Sequence, residues 1–234
     1  MTKLDPSLIQ NLPPFAGITD ADLKLLLEPA KSIRVKKGDH VFEQGEEAGS
    51  FFLLLDGAVR VVKITPIGEQ IIARFIAPGE LLGIALALGF SQYPANAVAA
   101  ADCVILEWPN SIWAETIAKF PTFSTNTYKI VGARLQETQE RIVEMATERV
   151  EQRVANALVK LSKQIGRKTD DGLLIDFPIS RQDISEMTGT TLHTVSRLLS
   201  RWEQDGIVKS GRQKITVSNG DTLLQIAGSH SGAV

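Results

Sequence analysis

The apolar residues of this chain change their spacing once, near Pro121, which restricts the fold to a strand-built first part followed by a helical second part. From Ile33 to Trp108 the apolar runs have strand length: Val41-Phe42, Phe51 to Leu55, Val59 to Val62, Ile71 to Ile76 and Val104 to Leu106. Turn formers at Gly38-Asp39, Gly45-Glu46, Asp56-Gly57, Pro66-Ile67-Gly68 and Pro78-Gly79 punctuate them every 6 to 12 residues. Short strands between regular turns describe an antiparallel sandwich or jelly roll. Ahead of them, Thr19 can cap a short helix over Asp20 to Leu27 that Pro29 ends, placed as a lid on the barrel.

Beyond Pro121 the helical period takes over. Tyr128, Val131, Leu135, Thr138, Ile142 and Met145 follow one another at 3, 4, 3, 4 and 3 residues, the seam of a coiled coil, with Arg134, Glu137, Glu140, Arg141 and Glu144 beside it. A helix of about 22 residues runs roughly 33 Å, longer than a domain of this size covers. These six positions are therefore expected to form a homodimer interface; a long helix packed on its own barrel is the alternative, kept open by Thr138. A second amphipathic helix carries Val150, Val154, Leu158, Leu161 and Ile165 and is expected to end in the polar stretch Gly166 to Gly172. The chain then divides into a sensor roll over residues 1–121, a dimerisation helix over 122–146 and a winged helix-turn-helix over 147–234, an α+β protein.

The winged unit is spelled out between Pro178 and Val217. Ser180 can cap a helix from Arg181 to Thr188, with Asp183 answering as a shortened capping box and Ile179 stapling to Ile184. Gly189 supplies a tight turn, Thr190 or Thr191 caps again, and a second helix runs to about Gln204. At 100° per residue, Leu192, Val195, Leu198, Leu199 and Trp202 gather on one side and are assigned to the core, while His193, Ser196, Arg197 and Ser200 gather on the other. Arg197 can pair bidentately with a guanine edge, and Ser196 can reach a base or a phosphate. A Ser-Arg pair alone is an ordinary solvated face, but Ile207 to Val217 reads as a hairpin with a basic tip, placing Lys209, Arg212 and Lys214 against phosphates. The expected DNA-binding set is Arg181, Thr190, Thr191, His193, Ser196, Arg197, Lys209 and Arg212.

Composition excludes several classes. At 234 residues and 44% hydrophobic, the chain has material for two ordinary cores. The net charge of −2 does not advertise a nucleic-acid binder, but residues 150–234 hold 11 Lys and Arg against 9 Asp and Glu, a slightly basic half. No apolar run reaches 18 residues, and Met1 to Asp5 lead toward Pro13-Pro14 rather than a signal segment, so a cytoplasmic protein without a membrane partner is expected. Cys103 is the only cysteine, which excludes an intrachain disulfide, a four-cysteine iron-sulfur cluster and a cysteine-rich zinc site; it is expected as a buried strand residue. His40, His193 and His230 are scattered, and no nucleophile, carboxylate pair or Gly-rich phosphate loop stands in a catalytic setting, so neither an enzyme nor a metal site is expected.

Two motifs in this order carry a resemblance. Gly38-Asp39-His40-Val41-Phe42-Glu43-Gln44-Gly45-Glu46, followed by Phe51 through Val59, is similar to the cyclic-nucleotide-binding-like roll of the Crp/Fnr family of bacterial regulators. Ser180-Arg181-Gln182-Asp183-Ile184 and Gly189 through Arg197 resemble that family's DNA-reading unit. The resemblance implies a homodimeric activator that binds double-stranded DNA and recruits RNA polymerase. The alternatives are a regulator of this family that responds to another small effector or to none, and a cyclic-nucleotide module serving some other effector, against which the wing speaks.

The departures refine this expectation. Gly79-Glu80-Leu81 and Gly83 keep the family's phosphate cassette, but Tyr93-Pro94-Ala95-Asn96-Ala97 has no cation where cyclic-AMP binders carry an arginine, so cyclic AMP is not expected as effector. A single cysteine likewise sets the chain apart from the cluster-bearing, oxygen-sensing branch. His193-Thr194-Val195-Ser196-Arg197 is similar to the branch that responds to nitric oxide and controls denitrification genes. That likeness implies haem as a candidate cofactor, with Leu81, Leu82, Ile84, Leu86, Leu88 and Phe90 either lining its pocket or packing on the long helix; no axial ligand is assigned.

Overall fold

The computed structural model describes residues 5–228; His230 lies outside them. Two compact units emerge, one built from the chain up to Ile64 together with Arg74–Thr138, the other from Thr65–Ala73 together with the chain from Gln139 on.

The first unit begins with α1 (Asp20–Leu27), whose Thr19 cap accepts from the Asp22 amide at 3.2 Å. Strands β1 (Lys31–Val35), β2 (His40–Phe42), β3 (Ser50–Asp56), β4 (Val59–Ile64), β5 (Gln70–Ile76), β6 (Leu81–Leu82), β7 (Asn96–Ala99) and β8 (Cys103–Pro109) follow. They form two four-stranded sheets in the orders β1-β8-β3-β6 and β2-β7-β4-β5, the expected roll.

The central pair β3 and β8 is buried on both faces. In antiparallel register Phe51 opposes Trp108 and Leu53 opposes Leu106, while Leu54 opposes Ile105. Because successive side chains point to opposite faces, Phe51, Leu53, Leu106 and Trp108 join Leu23, Leu26, Trp113 and Phe123 in one cluster, and Phe52, Leu54, Cys103 and Ile105 join Phe42 and Tyr93 in another. The Phe51 and Trp108 rings stack at 5.3 Å, and Trp108 Nε1 donates to the Leu26 carbonyl at 2.8 Å, closing the last turn of α1. The apolar stretch around the cassette is split: Leu81, Leu82 and Ile84 are core, while Leu86, Leu88 and Phe90 are exposed.

Helices α2 (Trp113–Lys119) and α3 (Pro121–Thr147) close this unit, α3 running on into the second. Pro121 suits a first helical position, where its missing N–H costs nothing. The six seam positions of α3 do not share one environment. Tyr128, Leu135 and Ile142 are 59%, 60% and 65% exposed; Val131 is half-buried against the roll; Thr138 donates to the Arg134 carbonyl at 2.8 Å. Met145 is 44% exposed and borders Gly189.

The second unit holds α4 (Val150–Ile165), β9 (Gly166–Thr169), β10 (Gly172–Ile175), α5 (Arg181–Thr188), α6 (Leu192–Gln204), β11 (Val208–Gly211), β12 (Lys214–Val217) and α7 (Gly220–Ile226). Its sheet runs β11-β12-β10-β9. Helix α4 ends at Ile165, at the polar stretch where its end is expected, and that stretch from Gly166 to Gly172 forms β9 and a turn into β10. Gly166 is required where helix passes straight into strand, since a Cβ there would overlap the Ser162 carbonyl oxygen.

An apolar stripe in contact with water is costly, and pairing with a second copy of the chain would remove it. Ile142→Asp should leave the fold intact, because the site is exposed within one chain, and shift the dimer to monomer in sedimentation equilibrium. Equal assembly of mutant and wild type would disprove the seam.

Candidate nucleic-acid interface

Local capping fixes the two helices. Ser180 Oγ accepts from the Asp183 amide at 3.1 Å while Asp183 accepts from the Ser180 amide at 2.7 Å, a reciprocal box, and Ile179 and Ile184 are both buried. Gly189 ends α5 in the left-handed region at φ 59°, ψ 43°, its N–H donating to the Ser185 carbonyl. Of the two candidate caps, Thr191 is the one used, its Oγ1 accepting from the Thr194 amide at 3.1 Å, while the Thr190 carbonyl accepts from Ser185 Oγ at 2.7 Å.

Helix α6 presents the expected faces with one correction. Val195, Leu198, Leu199 and Trp202 are buried; His193, Arg197 and Ser200 are exposed, and Ser196 is half-buried. Leu192, assigned to the core from its helical angle, is 46% exposed. It stands in the first turn, where α5 and the wing diverge, and lines a cleft of about 350 Å³ with Ile179, Arg181, Leu199, Ser210 and Ile215. Arg201, on the same helix, pairs with Glu151 of α4 and so turns away from the reading face.

The wing is held at both ends. Glu203 near the end of α6 accepts from the Ser210 amide at 2.8 Å, and its bonds with Ser210, side chain first and then backbone, hold its carboxyl below the usual carboxylate range. At the tip, Gln213 takes φ 58° and its carbonyl accepts from the Ile179 amide at 3.1 Å, pinning the turn to the residue before the α5 cap. This leaves Arg212 and Lys214 exposed. Among the described residues neither they nor Arg197 has an ion-pair partner. Two other expected DNA-binding side chains are engaged within the chain: Lys209 Nζ lies 2.5 Å from Asp171, and Arg181 Nη2 donates to Ser210 Oγ at a long 3.4 Å. The open set facing solvent is thus His193, Ser196, Arg197, Ser200, Arg212 and Lys214. It combines donors and acceptors suited to base edges with cations suited to phosphates.

In the roll, Glu80 of the cassette is already held. It accepts from Arg74 Nη2 at 2.7 Å, Arg134 of α3 lies 4.0 Å away, and Arg134 donates to the Leu81 carbonyl. Burial, and then the like charge of Arg74, pull the Arg134 guanidinium down to about 10 against the opposing pull of Glu80 and Glu137. The stretch from Tyr93 to Ala97 carries no cation of its own, but Lys63 of β4 reaches it and donates to the Pro94 carbonyl at 2.6 Å, a link with no signature in the sequence. His40 is exposed and sits 3.0 Å from Glu43.

Comparison with known proteins agrees with this geometry. Residues 32–120 match the cyclic nucleotide-binding domain and residues 152–226 the Crp-like helix-turn-helix domain. Over 213 residues the chain is 26% identical to the transcriptional activator protein anr of Pseudomonas aeruginosa, covering 91% of this chain and 87% of that relative. It is also 26% identical over 194 residues to the fumarate and nitrate reduction regulatory protein of Escherichia coli, covering 83% and 77%. Among solved structures, FixK2 from Bradyrhizobium japonicum superposes with a TM-score of 0.76 at 22% identity, over 87% of this chain and 99% of that one, a likeness of fold. A nucleotide-binding-type roll joined to a Crp-like reading unit defines a DNA-binding transcription regulator, not an enzyme. In both matched domains and in these relatives the chain is similar to regulators of the Crp/Fnr type. Among the described residues no helix is long and apolar enough to cross a membrane.

Arg197→Ala should cost about 1 to 3 kcal/mol per half-site and relax preference at one guanine, whereas Arg212→Ala should weaken all duplexes alike and lower the salt slope by about one unit for each phosphate that Arg212 neutralises. Binding titrations of selected and random duplexes over a salt series check both. The opposite pattern would exchange the reading and anchoring roles.

Proposed function

We propose that the chain is a homodimeric transcription activator that reads an inverted repeat through His193, Ser196 and Arg197, recruits RNA polymerase and controls genes of nitrogen-oxide metabolism. The observation that carries this reading is the open face of α6, where the imidazole, hydroxyl and guanidinium stand over a core of Val195, Leu199 and Trp202. With two such faces in successive major grooves about 34 Å apart, half-site centres lie roughly 10 to 10.5 base pairs apart. Arg197 fixes a G in each, within a TTG-like half-site. The nitrogen-oxide assignment is supported by the His-x-x-Ser-Arg pattern and by relatives named for fumarate and nitrate reduction.

The residues present do not suit haem. Leu81, Leu82 and Ile84 are consumed in the core, the roll interior is filled by Phe42, Phe52 and Tyr93 with the Phe42 and Tyr93 rings 3.9 Å apart, and His40 faces solvent beside Glu43. A cyclic nucleotide is disfavoured as well. Glu80 is saturated by arginines, and Lys63, the cation that reaches Pro94, is an exposed ammonium already bonded to a carbonyl. A regulator that needs no small effector is the second reading, and the held Glu80 favours it.

Selection from randomised duplexes with wild type and His193→Glu tests the assignment. The wild type should return a twofold motif with a fixed G, and His193→Glu should add a preference for cytosine beside the core, since a carboxylate accepts from N4 and cannot donate. An asymmetric motif, or one unchanged by His193→Glu, overturns it. Calorimetry with cyclic AMP at millimolar concentration should show no saturable heat, and a micromolar dissociation constant would restore a nucleotide effector.

A further inference from the structure

Only Gly189, Thr190 and the cap Thr191 separate α5 from the reading helix, so the carbonyl end of α5 is the joint that sets where α6 points. The last carbonyls of a helix lack partners inside it and attract cations. Two arginines from outside the helix-turn-helix supply them here. Arg141 of α3 donates through Nη2 to the Met187 carbonyl, and Arg153 of α4 donates through Nε to the Thr188 carbonyl at 3.1 Å. Four residues beyond Arg141, the Met145 methyl stands 2.5 Å from where a Cβ on Gly189 would lie, so the end of α3 also covers the turn. Arg141 makes one more bond, through Nη1 to the Ala73 carbonyl at 3.2 Å, within the same compact unit.

The neighbour in sequence gives this link its meaning. Ile142 is 65% exposed in the seam, while Arg141 is half-buried against α5. Adjacent residues of one helix therefore face the open seam and the reading unit.

We propose that Arg141 is a positioning residue for DNA readout: its guanidinium ties the end of α5 to the dimer helix, so that pairing of two long helices fixes the direction in which α6 presents His193 and Arg197. This rests on α6 being the reading helix and α3 the dimer seam. The leverage is large. Helix α6 is 13 residues and spans about 20 Å, so a tilt of ~10° displaces its far end by ~3 Å, beyond the ~0.5 Å within which such a site must be held. A guanidinium donates to the two carbonyls from separate nitrogens fixed in one plane, whereas an ammonium holds its three donors on a single rotating nitrogen and fixes no such geometry.

The test uses the full chain, a duplex selected by the wild type and a random duplex of equal length at one fixed salt concentration. Arg141→Ala should weaken binding to the selected duplex about tenfold or more. Affinity for the random duplex, the salt slope and the sedimenting dimer should stay as in wild type. Arg141→Lys should recover part of the selectivity. An unchanged ratio between the two duplexes overturns the proposal, and so does a monomer in sedimentation, which would place Arg141 in the dimer interface itself. Arg197→Ala, measured alongside, separates the failures: unchanged selectivity in both variants overturns the reading helix and this proposal with it, whereas unchanged selectivity in Arg141→Ala alone overturns the proposal only. If Arg141→Ala does not fold, Arg141→Gln keeps one amide donor for the Met187 carbonyl, and intermediate selectivity is expected; full wild-type selectivity overturns the proposal.

Discussion

Strands β3 and β8 are apolar on both faces, and their pairing organises the whole sensor unit. Inward, Phe52, Leu54 and Ile105 fill the roll; outward, Phe51, Leu53, Leu106 and Trp108 make the floor on which α1, α2 and the start of α3 rest. A slip of one residue in this register would exchange the two sets. It would set Phe51 and Trp108, two of the largest buried side chains, against space sized for others. The first turns of α3 are fixed by this floor through Phe123, and the exposed stripe of Tyr128, Leu135 and Ile142 follows from how little of the remaining helix it can cover.

In the second unit the interface electrostatics are local. The net charge is −2 over the whole chain, and the reading face depends on which cations are left unpaired. Arg201, Arg167 and Lys209 are matched with Glu151, Asp176 and Asp171, which withdraws three basic side chains from the face. Arg197, Arg212 and Lys214 stay open because α6 and the wing tip hold them away from acidic neighbours, and the wing holds its place through Glu203 and the Gln213 carbonyl.

What could be read from sequence is what depends on neighbours in sequence. The bounds of α5 and α6 follow from Ser180, Gly189 and Thr191, because caps and a left-handed glycine act over three or four residues. The wing follows from the short apolar runs on either side of Gly211-Arg212. Strand β9 is not legible: all four of its residues are exposed, so no alternation marks it. Leu192 departs from its expected place because a helical wheel gives an angle but not whether anything stands opposite. The links of Arg134 to Leu81 and of Arg141 to Met187 span 53 and 46 residues, and no periodicity announces a bond at such a separation.

The pairing of Lys209 with Asp171 also bears on how the protein searches a genome. Both side chains are about two-thirds exposed, so the pair is weak and opens readily. While it is closed, Lys209 displaces no counterion from duplex, and affinity for sequence-neutral DNA, which rests on counterion release, is lower by that one charge. A phosphate held in place by a seated reading helix would compete steadily with Asp171 for the ammonium. A wing used in this way would shorten residence on the wrong sequence and add its grip on the right one.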